Sequence, residues 1–288
     1  MIALQDAKAA ILNWCKTGTR LPDDYSGWHL AKGEPSGEKL DFWKLAISVN
    51  YPLPDDFAHW DAKITKERAF VRESHHGTPV SIRPLRDDNE KGGYVCTLAH
   101  YAASTKFVFP KHFTQWAMLD SEGVPLIFLY LDLRVRIPKG FDQWDIEMNG
   151  TTVAHAYLRF TLRPLPAKFS SWGLKNLDGI PVAHRSAHLA ISFDRKEIAS
   201  FPSTRAIWHL RDANDNTILH LYAKHGEPIP DVFALNDWHL ANKQGQRVID
   251  VAREAGNQAL VAQYEALELV AGIQFGKTVK SSFQRGSM

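Results

Sequence analysis

The sequence of 288 residues has few cysteines, almost no net charge and no long apolar run. Its two cysteines, Cys15 and Cys96, cannot form the disulfide framework of a small secreted domain, and they fit a reducing compartment. The sequence contains 34 Lys and Arg and 32 Asp and Glu, so its net charge is +2. A chain of this charge has no bulk field that attracts nucleic acid or an anionic membrane. The longest apolar stretch, residues 124–133, contains Asp132 and is too short to span a bilayer.

The first residues also lack the layout of a secretory signal, in which a basic segment precedes an apolar one, and Asp6 lies among them. We therefore expect a cytoplasmic protein, either in the cell that produces it or in a host cell. A composition of 44% apolar and 23% charged residues is that of a folded chain, and the length suits about two average domains.

Tryptophan is abundant, and seven of the nine residues end one recurring pattern. An aliphatic residue or Phe lies seven positions before the Trp in most copies and is followed by Pro, and most copies have an aromatic residue three positions before the Trp. The copies end at Trp28, Trp60, Trp116, Trp144, Trp172, Trp208 and Trp238. Three of them are spaced by 28 residues, and the next spacings are 36 and 30. Such a period is typical of a repeat solenoid.

Each copy predicts a short helix followed by a turn. In residues 165–172 the apolar side chains recur at i, i+4 and i+7, which predicts about two helical turns with Pro at the first position. A polar segment rich in Asp, Asn or Gly follows each Trp and predicts a turn. A second helix then begins with T-x-x-H or a related sequence, at residues 97–100, 152–155, 181–184 and 217–220.

These modules resemble the ankyrin repeat family. Residues 150–155 and 216–220 are similar to that family's turn and first helix, and residues 245–267 are similar to a C-terminal unit with Gly256 and Asn257 between its two helices. The resemblance implies an all-α fold, an ankyrin-like helical repeat solenoid of about seven units with one long insertion. It also implies a binding surface built from stacked helix pairs, and no catalysis. The central units, at 28 residues, are shorter than the ~33 residues usual in the family.

One stretch breaks the period, because 40 residues separate Trp60 from His100 where about 12 are expected from the other modules. This charged insertion has turn signals around a possible hairpin at residues 78–82. Insertions in solenoids often lie on the binding face; the alternative is a solvated loop without a role. The predicted organisation is N-terminal divergent repeats (1–60), the insertion loop (61–93), central repeats (94–244), a C-terminal capping repeat (245–270) and a flexible tail (271–288).

The aligned histidines are the first candidates for metal or proton chemistry. They are His100, His155, His184 and His220. Because each occurs once per module, neighbours lie about 10 Å apart, the distance between packed helices, and cannot share one metal. His184 and His188 lie four residues apart without an acidic third ligand. We interpret the histidines as bridges between a turn and the start of a helix.

Other motifs lack the context that their chemistry requires. Residues 271–278 match a relaxed phosphate-binding loop ending in Lys277 and Thr278, but that site needs a preceding strand, and only ten residues follow it. Residues 212–216 begin like a calcium loop, but Ala223 occupies the position that needs a bidentate Glu. We therefore expect no enzyme, cofactor or metal site.

The row of tryptophans has two interpretations. The favoured one is a core seam between modules, because Trp172 lies on the same stripe as Leu165 and Phe169. The alternative is a row of exposed anchors for a partner. Trp14 and Trp43 lie outside the pattern, and we expect them to be partly exposed.

The function that best fits these features is protein binding, as a stoichiometric inhibitor, adaptor or effector that is monomeric on its own and binds neither membrane nor nucleic acid. Polar residues on a rigid scaffold commonly carry recognition. The candidates in the modules are Arg159, Arg163, Lys175, Arg185, Arg211, Lys224 and His225. Those in the insertion are Arg68, Arg72, Arg83 and Arg86. The alternatives are an enzyme or nucleotide-dependent switch using residues 271–278, and a nucleic-acid-interacting protein.

Overall fold

The structure is a computed structural model in which helices are the main regular structure, which confirms the helical part of the predicted fold class. The chain divides into two compact units, residues 1–156 and 157–288, so the boundary falls inside the segment 94–244 that the sequence takes as one set of repeats. No helix in the described part of the chain is long and apolar enough to cross a membrane. The described residues are 3–18, 20–22, 24–28, 37–67, 70–73, 81–84, 93–110, 112–199, 201–202 and 204–284.

The first unit is built around short helices. They are α1 (Leu4–Thr17), α2 (Gly37–Ser48), α3 (Leu98–Ser104), α4 (Leu126–Asp132) and α5 (Val153–Thr161), which belongs to the second unit from Tyr157 onward. Helix α2 packs against both α1 and α3, and α3 packs against α4. Phe42, Trp43 and Ile47 on α2 have no exposed surface and form the centre of this core.

The insertion contains strands, so the all-α prediction is wrong for this segment. Strand β1 (Lys63–Glu67) pairs antiparallel with β4 (Gly93–Thr97), and β2 (Phe70–Glu73) pairs with β3 (Ser81–Pro84) between them. Ile64 on β1 is buried, and residues 63–67 and 93–97 carry β-branched side chains that favour extended backbone. From Lys63 onward, the described residues of the predicted loop at 61–93 therefore belong to two antiparallel pairs, one nested within the other in sequence. Of the predicted hairpin at 78–82, residues 78–80 lie outside the described residues.

A third, very short pair, β5 (Glu147–Met148) with β6 (Thr151–Thr152), precedes α5. The second unit then continues with α6 (Val182–Ser192), α7 (Arg205–Trp208), α8 (Ile218–His225), α9 (Leu235–Trp238), α10 (Val248–Glu254) and α11 (Gln258–Gln284). Helix α8 packs between α6 and α10, and α10 packs against α11.

Several predicted helix boundaries are confirmed. Helices α3, α5, α6 and α8 each begin one residue after the first position of the T-x-x-H-type sequence. Gly256 and Asn257 lie in the turn between α10 and α11, as predicted. At the C-terminal end the structure differs from the sequence prediction, because α11 continues to Gln284 through much of the predicted flexible tail.

The Pro-led aromatic segments are not the two-turn helices that the sequence predicts. In residues 165–172 the Phe169 N–H donates to the Pro166 carbonyl at 2.8 Å and closes a single turn. The same bond recurs at 3.0–3.2 Å in the copies that begin at Leu21, Leu53, Phe109, Ile137 and Ile229. A four-residue helix, α7 or α9, ends at the Trp of the last two copies. Eight residues are too few to sustain a helix by themselves, so packing of the apolar side chains decides the backbone.

The tryptophan row is buried, which confirms the core interpretation and excludes exposed anchors. Trp172 is 4% exposed and contacts Phe169 and Phe201 edge-on, with ring centroids 4.8 and 5.7 Å apart. The other six residues of the row are 1–6% exposed. Trp14 is half-buried as expected, but the prediction for Trp43 is wrong, since its ring is fully buried and its Nε1–H donates to the Gly27 carbonyl at 2.9 Å.

Candidate protein-binding face

The polar turn after each Trp has a recurring geometry that explains its composition. Asp212 Oδ1 accepts the N–H groups of Asn214 and Asn216 at 2.8 and 2.9 Å, which is a side-chain mimic of a backbone turn. Asp120 and Asn242 form the same pair of bonds. The third residue after each of these has a positive φ, which favours glycine. Those residues are Gly123, Asp215 and Gly245. The interpretation of residues 212–216 as an ordinary turn is confirmed.

Successive turns of the second unit are held against one another. The Asn242 Nδ2–H donates to Asn216 Oδ1 at 3.0 Å, and the Lys243 N–H donates to the Asn214 carbonyl at 3.0 Å. A Cβ on Gly179 would lie 3.1 Å from the Ala213 Cβ, so the preceding turn also approaches closely. The helix that follows each turn is therefore placed in a fixed register relative to the next.

Three of the four aligned histidines tie the start of their helix to the following turn. The Thr217 N–H donates to His220 Nδ1 at 3.1 Å, so Nδ1 carries no proton and Nε2–H donates to the Gln246 carbonyl at 3.2 Å. His184 Nε2–H donates to the Leu210 carbonyl at 2.7 Å, and His100 Nε2–H donates to Val124 at 3.1 Å. These bonds confirm the structural interpretation of His100, His184 and His220 as bridges.

The last module replaces the Thr–His pair by an ion pair at the same positions. Asp250 Oδ2 accepts the Arg247 backbone N–H at 3.0 Å and the Arg247 Nε–H at 2.8 Å. The hydrogen bonds from the Arg247 side chain are the main cause that lowers the pKa of Asp250 to about 2. A carboxylate thus caps α10 in the way that a neutral imidazole caps α8.

Protonation of the bridging histidines is expected to destabilise the fold in acid. Burial is the main cause that lowers the pKa of His184 and of His220. The positive charge of Lys175 lowers the pKa of His184 further, and that of Arg211 lowers the pKa of His220 further. The negative charge of Asp212 and the hydrogen bonds to backbone carbonyls raise both pKa values in part. Because the unfolded pKa is about 6.5, the unfolded state binds more protons than the native state below that pH. The free energy of unfolding should be fully retained above pH ~6.5 and fall below it, as measured by urea titrations across this range.

A matched pair of variants assigns this pH dependence. His220→Gln should flatten the slope below pH ~6.5, because the titrating bridge is gone. Lys168→Gln, at an exposed position of the same unit outside the bridges, should leave the slope unchanged. Equal slopes in the two variants would show that the bridges do not titrate with folding.

Three helices carry a row of exposed basic side chains at equivalent positions. Arg159, His188 and Lys224 each follow the aligned histidine of their helix by four residues, and all three are exposed. Arg185 is half-buried beside this row, and His225 is exposed next to Lys224. These five residues are called the basic face below.

The basic face lies on helices without acidic residues. Helices α5, α6 and α8 contain no Asp or Glu. Within the described part of the chain, none of the five residues forms an ion pair. Burial, followed by the charge of Arg159, lowers the pKa of Arg185. Burial, followed by the charges of Arg185, His225 and Lys224, lowers the pKa of His188. The five side chains are thus close enough for their charges to interact.

The other predicted contacts are not members of the basic face. Arg211 is used structurally, since its Nη1–H donates to the carbonyls of Asp215 and Ala241 at 3.0 and 2.9 Å. Arg163 and Lys175 are exposed in the segments that follow α5 and Trp172. Arg72 and Arg83 lie on the paired strands β2 and β3, whereas Arg68 and Arg86 lie outside the described residues.

His188 is the member of the face that sequence reasoning missed as a contact, because it was weighed only as a metal ligand beside His184. Its spacing of four residues from the bridging histidine, which Arg159 and Lys224 share, is the signal that identifies it. In the described part of the chain no three His, Cys, Asp or Glu side chains are grouped closely enough to hold a metal ion.

The first unit has a small cavity between two Pro-led aromatic segments. It has a volume of about 120 Å³ and is lined by Phe57, Trp60 and Phe113, with Asp55 and His112 among its other lining residues. The Asp55 Oδ1 and His112 Nε2 atoms lie 3.6 Å apart. Ligand pockets usually measure ~300–1,000 Å³, so this cavity is too small for a typical cofactor.

The segment that resembles a phosphate-binding loop in sequence lies within a helix in the structure. Residues 271–278 lie inside α11, where the backbone N–H groups belong to the helix rather than to a loop that could surround a phosphate.

No protein-family model matches the sequence, and a search of the curated proteins finds no relative.

Proposed function

We propose that the chain is a protein-binding module whose helical units form an ankyrin-like repeat solenoid. In this proposal it docks a partner protein through the basic face and acts as a stoichiometric inhibitor, adaptor or effector. It acts without a cofactor and in the cytoplasm, of its producer or of a host cell.

Recurring local geometry supports the repeat arrangement. The histidine bridge, the Asx-type turn and the bond from the aromatic N–H to the proline carbonyl each occur in several modules at nearly the same distances. Such repetition fits a solenoid, in which each unit is held by its neighbours in the same way.

The basic face is the observation that supports docking. Neighbouring like charges repel, and burial of Arg185 adds a desolvation cost, so the free protein gains no stability from this arrangement. A partner that supplies negative charge would relieve both costs. The helices that carry the face are also packed into the core on their other side, which is how rigid scaffolds present recognition residues.

Charge reversal on the face tests this function. The wild-type chain, immobilised and exposed to lysate of its native cells, should retain one dominant protein identified by mass spectrometry. Arg159→Glu/Lys224→Glu should lose that protein, because two attractive contacts become repulsive. Lys168→Glu/Lys196→Glu changes the net charge equally at exposed positions elsewhere in the second unit and should retain it.

Circular dichroism of both double variants should match the wild type, since all four positions are exposed. The proposal fails if the wild type retains no specific protein, or if the folded Arg159→Glu/Lys224→Glu variant retains the same protein as the control.

A further inference from the structure

We infer that the basic face recognises an extended acidic segment of its partner, with carboxylates at about every third residue. This inference rests on the proposed function and specifies the chemistry of the partner.

The sign of the charge follows from the composition of three helices. In α5, α6 and α8 every ionisable side chain is Arg, Lys, His or Tyr. The row ends at the next helix, because Glu254 on α10 follows Asp250, which takes the place of the histidine, by four residues. The Glu254 carboxylate accepts a hydrogen bond from Gln246 Nε2 at 2.8 Å. The ligand therefore contacts three helices and presents negative charge to each.

The spacing of the row sets the spacing of the ligand's charges. Helix α6 packs on α8, and packed helices are about 8–10 Å apart. His188 and Lys224 occupy equivalent positions on these two helices, so the two basic side chains lie about that distance apart. An extended chain rises about 3.3 Å per residue, so three residues span about 10 Å. A strand crossing the helices thus meets one basic side chain at every third residue.

The narrowness of the basic strip favours an extended peptide over larger ligands. Helix α8 has eight residues, a length of about 12 Å. Acidic residues lie in sequence beyond both ends of the helices, with Asp212 and Asp215 in the turn before α8, Glu227 after it, and Asp194 after α6. A nucleic acid or an anionic membrane surface extends beyond the strip and meets these carboxylates, whereas a single extended chain fits between them.

Two peptides of the same composition test the spacing. One is the labelled dodecapeptide EGSEGSEGSEGS, and the other is EEEEGSGSGSGS, which has the same charge in one cluster. Fluorescence anisotropy with the full chain at low ionic strength should show about fivefold tighter binding of the spaced peptide, as two further exposed ion pairs provide. Lys224→Gln should remove most of this difference, and Lys168→Gln should preserve it.

The inference is overturned if both peptides bind equally or if Lys224→Gln leaves the preference for the spaced peptide intact. It is also overturned if an oligothymidylate of matched charge, or vesicles of anionic phosphatidylserine, bind more tightly than the spaced peptide. These outcomes are separable from those of the lysate experiment. Loss of the captured protein on charge reversal without a peptide preference keeps the docking function and rejects the extended segment. A peptide preference without any captured protein supports the chemistry of the face and rejects the proposed function.

Discussion

Replacing Trp172 by alanine is expected to lower the free energy of unfolding by about 3–5 kcal/mol, the range for emptying a large aromatic core site. The side chain is almost fully buried between Phe169 and Phe201, so its removal leaves a cavity that neighbouring rings cannot fill without moving. Its backbone carbonyl accepts the Ala183 N–H at 3.1 Å, so relaxation of the site also disturbs the start of α6. Urea denaturation followed by circular dichroism measures the loss.

Phe193→Ala provides the control, because this aromatic residue of the same unit is 53% exposed. A change within about 0.5 kcal/mol of the wild type is expected there. If Trp172→Ala unfolds at the same urea concentration as Phe193→Ala, the tryptophan row does not form the core seam.

Two deletions in the insertion are expected to have opposite outcomes. Removing residues 61–93 deletes β1, whose Ile64 is buried, and the Ala62 carbonyl that accepts the Leu98 N–H at 2.8 Å. Loss of a buried aliphatic side chain alone costs about 2–5 kcal/mol, so this variant should be strongly destabilised or unfolded.

Replacing residues 68–92 by Asn-Gly should instead preserve the fold. Glu67 pairs with Gly93 at the end of the β1–β4 ladder, and a two-residue Asn-Gly turn joins such paired positions in a hairpin. Thermal unfolding of the two deletions distinguishes them. Equal destabilisation in both would mean that residues 68–92 contribute to the core of the first unit, and equal stability would mean that β1 does not.

The sequence predicted the features that depend on local chemistry. The Asp or Asn and the Gly of the turns satisfy hydrogen bonds and a positive φ within five residues, so composition alone identifies them. The starts of α3 and α8 depend on a Thr and a His three residues apart, which is also a local arrangement. These predictions needed no knowledge of the rest of the chain.

The failures share a different cause, which is that tertiary packing overrides local preference. The apolar spacing of Leu165, Phe169 and Trp172 correctly identifies core side chains, but a single turn places them in the core as well as a helix does. In the insertion, mixed charge concealed the few apolar and β-branched residues of β1 and β4, such as Ile64 and Val95. A repeating apolar pattern therefore predicts which side chains are buried, but it does not decide the backbone conformation that buries them.

The candidate site was predicted in part. Arg159, Arg185, Lys224 and His225 were chosen as residues that the repeat did not explain, and the structure brings them together. Arg211 was chosen on the same ground, but it is used by two backbone carbonyls of the turns. Only the three-dimensional arrangement distinguishes a basic residue that is available to a partner from one that supports the scaffold.

The histidine bridges and related bonds of the second unit also bear on how the chain folds during synthesis. In the described residues, side-chain hydrogen bonds between neighbouring modules join positions 25 to 34 apart, as between His184 and Leu210 or Asn257 and Ala223. Contacts of this kind have low contact order, which favours fast folding and small loop-closure costs. A module whose partners lie before α11 can therefore form these bonds as soon as the following module has left the ribosome.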